Sequence, residues 1–387
     1  MGRSNSIKNF KKPKILIVGH IIDNPSGDAF LRKFLRVLKP LASDIYVVSR
    51  NLPSEFKKEK KIKWVKIKTK INSRRNWLVR RILNVYVQLF IAFNVLRIYK
   101  KGLNFVIFLI TLHFPMIFSK LLKRKIVVYK GGTLAKERKG RLFSVLYHVI
   151  FDQFSYMISD IVIVESKSSI TFQNLKKYAY KAVIGSLYVD EQFFYCKKNL
   201  KERNNKIGFF GTLSESKGVD KLCEALIRIR DYLEEKDVEV VIGGDGPLYN
   251  YIKEMIDKND LHDRINVVGW VQHEKIPDYL NEIKLLILPS ISEGLPNIIL
   301  EAMACRTPVL ATPVGAIPDI IKDGKTGFIL EKNTPEYISK NIIRVLECPK
   351  LEEITNNAYR LFKRRFTYDA ALNRYIRIFR KLLQERK

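Results

Sequence analysis

The feature that most constrains this chain is a pattern that runs through it twice. Short apolar runs alternate with helical stretches, and the alternation restarts in the second half. In the first half the runs fall at 14–19 (KILIVG), 44–49 (DIYVVS), 61–67, 105–110, 125–129, 161–165 and 182–184. Helical patterns lie between them at 29–41, 74–101, 115–122 and 144–159. In the second half the runs are 206–210 (KIGFF), 238–243 (VEVVIG), 265–268, 285–288 (LLIL), 309–311 and 327–330. Helical stretches are predicted at 218–232, 248–258, 275–281 and 296–305, with a further turn of helix at 318–321. Nearly continuous apolar runs suit strands covered on both faces, and strands alternating with helices predict a parallel, doubly wound sheet. The expected fold is therefore α/β, two Rossmann-like doubly wound domains in tandem.

A length of 387 residues suits two domains. We place them at 1–198 and 199–365, divided near a polar stretch ending in KERNN. The last segment, 366–387, carries Tyr368, Leu372, Ile376, Phe379 and Leu383 at helical spacing and is expected to dock back on the first domain. Four scattered cysteines, Cys196, Cys223, Cys305 and Cys348, form no CxxC. That argues against a disulfide framework or zinc site and suits a reducing cytoplasm. The polar, basic first 14 residues are expected to lead into a strand rather than act as a secretion leader. The stretches 82–98 and 103–119 contain too many polar residues for clean membrane spans and are expected to be soluble elements.

Charge is lopsided. Residues 1–200 hold 40 Lys+Arg against 11 Asp+Glu, a net of +29, out of +31 for the chain. Such asymmetry directs the first half toward an anionic partner. The stretch 74–101 has Arg74, Arg75, Arg80 and Arg81 at one end and Arg97, Lys100 and Lys101 at the other. Trp77, Leu78, Leu83, Val87, Phe90 and Phe93 lie between, and LLKRK at 121–125 adds a basic cluster. Apolar residues between basic clusters are what a helix lying at a lipid interface needs. The expected partner is an anionic membrane surface; the alternative, a basic nucleic-acid-binding protein, lacks a recognisable motif.

Three loops carry candidate chemistry. In LLILPSISEGLPNIILEAMA a strand ends in a loop, and Pro296 opens a helix. The amides of Gly294, Leu295 and Asn297 then lie at a helix N-terminus, fitted to phosphate or a sugar hydroxyl. Glu293 precedes the helix and Glu301 sits within it, where a carboxylate can accept bonds from vicinal ribose hydroxyls. In GFFGTLSESKG, Gly211 ends a strand and Lys217 stands at a helix start, placed to neutralise a diphosphate. Gly244 belongs to GGDGP, after another strand of the same sheet, and lacks dinucleotide-binding spacing.

The second half resembles the family-four glycosyltransferases of the "glycosyl transferases group 1" type. The resemblance runs in order through GTLSESKGVDKL, VVIGGDGP, VVGWVQHEKIPDYL, SEGLPNIILEAMACRTPVLATPVGAIPDII and DGKTGFIL. In the first half it is carried by the opening strand and helix, by Ser26-Gly27 in a loop where the family has a glycine pair, and by VIGSLYVDEQFF. The resemblance implies a GT-B fold and retaining transfer from a nucleotide-sugar donor to an acceptor hydroxyl. It implies that Lys217 contacts the donor diphosphate and Glu301 the ribose. Glu293, with Gly294 and Leu295, would face the donor sugar and its phosphate. The backbone of Trp270 and Val271 would border the base. His113, in TLHFP, aligns with a family histidine near the reacting centre, and His20 is a lesser candidate. Thr212 stands where the family commonly has Arg, so one phosphate cation must come from elsewhere. No DxD stands at a strand end, so no metal and no cofactor beyond the co-substrate is expected. The acceptor is expected to be lipid-linked or a membrane-associated glycan. A nucleotide-sugar epimerase of GT-B architecture is the alternative enzyme. A glycosidase would need paired carboxylates about 5–5.5 Å apart and would leave Lys217 without a purpose.

Overall fold

The computed structural model describes residues 12–19, 25–69, 77–131 and 142–384. His20, Arg74 and Arg75 lie outside these residues. In the first half, chain order is β1 (Lys14–Val18), α1 (Pro25–Leu38), β2 (Asp44–Ser49), β3 (Ile62–Lys66), α2 (Trp77–Tyr99), β4 (Phe105–Phe108) and α3 (His113–Leu121). Then follow β5 (Lys125–Lys130), α4 (Leu142–Ile158), β6 (Ile161–Val164), α5 (Ser168–Phe172) and β7 (Ala182–Ile184). The second half brings β8 (Lys206–Phe210), α6 (Val219–Arg228), α7 (Arg230–Glu235), β9 (Glu239–Gly243), α8 (Tyr249–Lys258), β10 (Ile265–Gly269), α9 (Ile276–Glu282) and β11 (Leu285–Leu288). It continues through α10 (Asn297–Ala304), β12 (Val309–Ala311), β13 (Phe328–Ile329), α11 (Pro335–Leu346), α12 (Leu351–Arg365) and α13 (Tyr368–Gln384).

Both sheets are parallel, and their first six strands share one winding. The first runs β3-β2-β1-β4-β5-β6-β7 and the second β10-β9-β8-β11-β12-β13. Each reverses direction between its first and fourth strands, leaving a crevice at the carboxyl ends there. The central strands β4 (FVIF), β6 (IVIV) and β11 (LLIL) are buried at every residue, which is why they read as unbroken apolar runs. Alternate residues of β1 divide between two cores. Ile15 and Ile17 pack with α1 and α13, and Leu16 and Val18 with α2 and α3.

The tail does cross back. On α13, Ala371, Tyr375, Ile376, Phe379 and Leu382 are buried in the first domain's core. The Phe379 ring meets Phe105 at 5.0 Å, and the Tyr375 hydroxyl donates to the Gly185 carbonyl at 2.7 Å. Three details differ from the expected elements. Helix α1 begins at Pro25, so Gly27 lies buried in its first turn rather than in a loop. The helix expected at 218–232 breaks at Ile229 into α6 and α7. Helix α3 starts at His113, two residues ahead of the expected 115–122, and β4 and α3 together occupy most of 103–119.

Candidate active site

The two domains turn their carboxyl edges toward each other. Ser168, just past β6, donates its amide and its hydroxyl to the two carboxylate oxygens of Asp319, beyond β12, at 2.8 Å each. On α1 of the first domain, Lys33 comes into electrostatic range of Glu301 in the second. Burial lowers its pKa, and the opposing charge of Glu301 raises it.

Lys217 and Glu293 come together. After β8 the chain makes a short 3-10 turn, Glu215–Lys217, then passes through Gly218 at φ +68° into α6. A side chain at Gly218 would collide with the carbonyl oxygen of Pro289, so glycine lets the β8 loop lie on the β11 loop. The Ile291 amide, bonded to the Ser216 carbonyl at 2.8 Å, ties the same two loops. Across this seam Lys217 Nζ lies 2.6 Å from Glu293 Oε1, which also accepts from Ser290 Oγ at 2.7 Å. Glu293 is buried, so its charge is compensated by these donors. An ammonium carries three N–H donors and the bond to Glu293 uses one, so the cation can still meet an anion in the crevice.

The β9 loop closes over the same place. Gly244 has φ +141°, and a side chain there would strike the Gly211 carbonyl oxygen. Gly211 in turn donates to Gly243 O at 3.0 Å, and Leu213 to Asp245 O at 3.0 Å. Gly211 and Gly244 therefore pack backbone to backbone, and Thr212, next along from Gly211, is exposed. Pro296 is the N-cap of α10 rather than its first helical residue, with Asn297 opening the helix. Gly294 is pinned from behind by the Ala316 amide at 2.8 Å, and Leu295 packs on the second-domain core.

Glu301, on the second turn of α10, is buried, and its Oε1 lies 2.9 Å from His273 Nε2. This hydrogen bond raises the His273 pKa against the effect of burial. A carboxylate has about four lone-pair sites, so the bond leaves capacity for vicinal hydroxyls. Trp270 is 78% exposed, while Val271 lies against the Gly243 backbone.

His113 is in the first turn of α3, not in a loop, at the carboxyl end of β4 beside the first sheet's crevice. Its ring lies 4.0 Å from that of Phe151, and Nε2 is buried without a hydrogen-bond partner among the described residues. Burial lowers its pKa and the charge of Asp152 opposes the shift, so the imidazole is neutral near pH 7. His273, Ser290 and Lys33 are additions that the sequence patterns did not single out. Ser290 stands at the end of the LLIL strand, three residues before Glu293, and that proximity was the available signal. Nothing in the spacing of Lys33 or His273 marked them.

Comparison with known proteins gives this arrangement a family. Residues 191–384 match the family model described as Glycosyl transferases group 1. The chain is 28% identical over 174 residues to an uncharacterized glycosyltransferase of Methanocaldococcus jannaschii, covering 45% of this chain and 47% of that protein. It is 32% identical over 176 residues to the alpha-D-kanosaminyltransferase of Streptomyces kanamyceticus, covering 45% of each. The chain thus spans about half the length of these two curated relatives. The fold is similar to that of Anabaena HepE in complex with UDP and glucose, with a TM-score of 0.71 and 18% identity, over 95% of this chain and 100% of that one. The family match extends over half of the sequence, and the chain belongs to the glycosyl transferases group 1 family.

Proposed function

We propose that this protein is a nucleotide-sugar-dependent glycosyltransferase that transfers its sugar with retention of configuration. The observation that carries the reading is the joining of Lys217, Glu293 and Ser290 across two loops at the second sheet's crevice, with Glu301 buried nearby in α10. Breaking the bond between sugar and diphosphate builds negative charge on the leaving phosphate. Lys217 and the amides at the start of α10 stabilise that charge without reorganising. Glu301 takes the ribose hydroxyls, Trp270 and Val271 flank the base, and Gly27 and His113 face the sugar from the first domain. Lys33, in electrostatic range of Glu301, is the cation we assign to the role of the arginine that Thr212 replaces. The reaction needs no metal, because the leaving charge is met by these groups.

We assign the acceptor to the first domain and to a membrane. Helix α2 is long and apolar enough, over Arg81–Tyr99, to cross a bilayer by length and composition. It packs on the first sheet through Val87, Ile91, Val95 and Ile98, and leaves Ile82, Tyr86, Leu89 and Phe93 exposed along the opposite stripe. Its neighbour α3 exposes Phe114, Ile117 and Leu121. Arg81, Arg97, Lys100 and Lys123 stand exposed at the ends of these helices. Apolar stripes with cationic ends fit an anionic leaflet on which the helices lie, each cation contributing about 1 kcal/mol. The acceptor is then a lipid-linked or membrane-associated glycan, and the enzyme is peripheral on the cytoplasmic face.

Thermal melting with a panel of UDP-, GDP- and ADP-sugars tests the donor site, since a ligand that binds the folded state raises the midpoint. At least one donor is expected to stabilise the wild type, and Glu301→Ala and Lys217→Ala to weaken that effect. If both variants respond to every donor as the wild type does, the site is misassigned.

A further inference from the structure

A cavity of about 650 Å³ opens where the two domains and the returning helix meet, lined by none of the donor-loop residues. Lys167 contributes from the first domain, and Lys322 and Arg365 from the second. Arg374, Arg377 and Lys381 come from one face of α13. Among the described lining residues Asp319 is the single acid, and both its oxygens are engaged by Ser168. Six cations therefore face one compensated carboxylate, and Val183, Ile184 and Ile378 supply an apolar wall.

The cluster is built rather than splayed. Arg374 is held by its guanidinium, which donates to the carbonyls of Ser186 and Arg365 at 2.6 Å each. Burial lowers the pKa of Arg365 and of Arg374, and for Arg374 the charges of Arg365 and Arg377 add to the effect. Holding like charges together in a partly desolvated recess costs free energy that an anion would recover. The volume is in the range of ligand pockets. The surplus of positive charge matches several phosphate groups better than one monoanion.

We propose that this junction is a binding site for a polyanion of the phosphate or phosphoanhydride class, distinct from the donor site. The phosphates bridge Lys167 of the first domain, Lys322 and Arg365 of the second, and the α13 cations. Occupancy fixes the domains against each other. It also fixes the segment carrying Asp319, three residues beyond the Ala316 amide that pins Gly294 in the donor loop. The phosphates come either from a soluble polyphosphate or from a lipid headgroup.

Calorimetric titration of the full chain with sodium tripolyphosphate tests the site, beside sedimentation with phosphatidylglycerol vesicles. The discriminating variant is Lys322→Gln/Arg377→Gln/Lys381→Gln, since all three side chains are exposed and their loss spares the core. Tripolyphosphate is expected to bind saturably and not to be displaced by UDP. Its affinity should fall by about a hundredfold in the triple variant, as three charge-assisted contacts are lost, and stay at the wild-type value in Lys217→Ala. If tripolyphosphate does not bind, but the triple variant loses wild-type vesicle binding, the same site is supported with a lipid headgroup as its source. Three results overturn the proposal: neither probe binds, both bind the triple variant as they bind the wild type, or tripolyphosphate is displaced by UDP and lost in Lys217→Ala.

Discussion

Replacing Lys217 by alanine separates a structural ion pair from a catalytic cation. The pair is part-buried, with the Lys217 side chain 27% exposed and that of Glu293 8% exposed. Exposed pairs contribute about 0–1 kcal/mol, and removing one partner of a fully buried pair costs about 3–5 kcal/mol. Ser290 still donates to the carboxylate in the variant, so the expected loss of stability is about 1–2 kcal/mol. For a domain of this size that lowers the melting midpoint by roughly 2–8 °C. The loss in the transition state is larger. A preorganised group facing developing negative charge contributes about 3–4 kcal/mol, or roughly 10²–10³ in kcat. Lys217→Ala should therefore melt slightly early and turn over roughly 10²–10³-fold more slowly. Lys217→Ala/Glu293→Gln should regain much of the midpoint, because no unpaired charge stays buried, but none of the turnover. The assays are nucleoside diphosphate release and a thermal melt of each variant. Turnover within about threefold of wild type in Lys217→Ala would mean that Lys217 does not meet the leaving charge, whatever the midpoint does.

Other outcomes follow from the same geometry. His273→Ala removes a contact whose folded-state pKa is raised by Glu301. Its stabilisation is fully present below the unfolded value near 6.5 and is lost as pH rises through the higher folded value. Melting midpoints should therefore separate wild type from variant at pH 5.5 and converge at pH 9. Arg203→Ala should cost about 3 kcal/mol in urea unfolding, because the buried guanidinium donates to the carbonyls of Leu280, Ile283 and Cys305. Leu89→Gln/Phe93→Gln should reduce binding to anionic vesicles while leaving donor binding intact, as read by co-sedimentation and donor-induced melting shifts. Turnover should survive EDTA, and a loss restored by Mg²⁺ would contradict the metal-free reading.

The second domain was legible because its loops carry local, directional signals. LLIL needed no partner to read as a covered strand, and the Pro296 cap and Gly218 mark where α10 and α6 begin. What the sequence hid is long-range. His273 reaches Glu301 across 28 residues and Ser168 reaches Asp319 across 151, and no periodicity encodes either approach. His113 precedes the helical pattern at 115–122, yet proline is tolerated in the first turn of a helix, and α3 starts before it. Gly27 falls ahead of the helical pattern at 29–41, but Pro25 opens α1 four residues earlier.

In the proposed reaction, sugar moves from a nucleotide donor with its anomeric configuration kept. Its most direct test is proton NMR of the product, formed from whichever donor stabilises the wild type and an acceptor presented on anionic vesicles. The expected result is nucleoside diphosphate release and a glycoside with the donor's own anomeric configuration, both reduced in Glu301→Ala. An inverted linkage, or an epimerised sugar released without transfer, would contradict it.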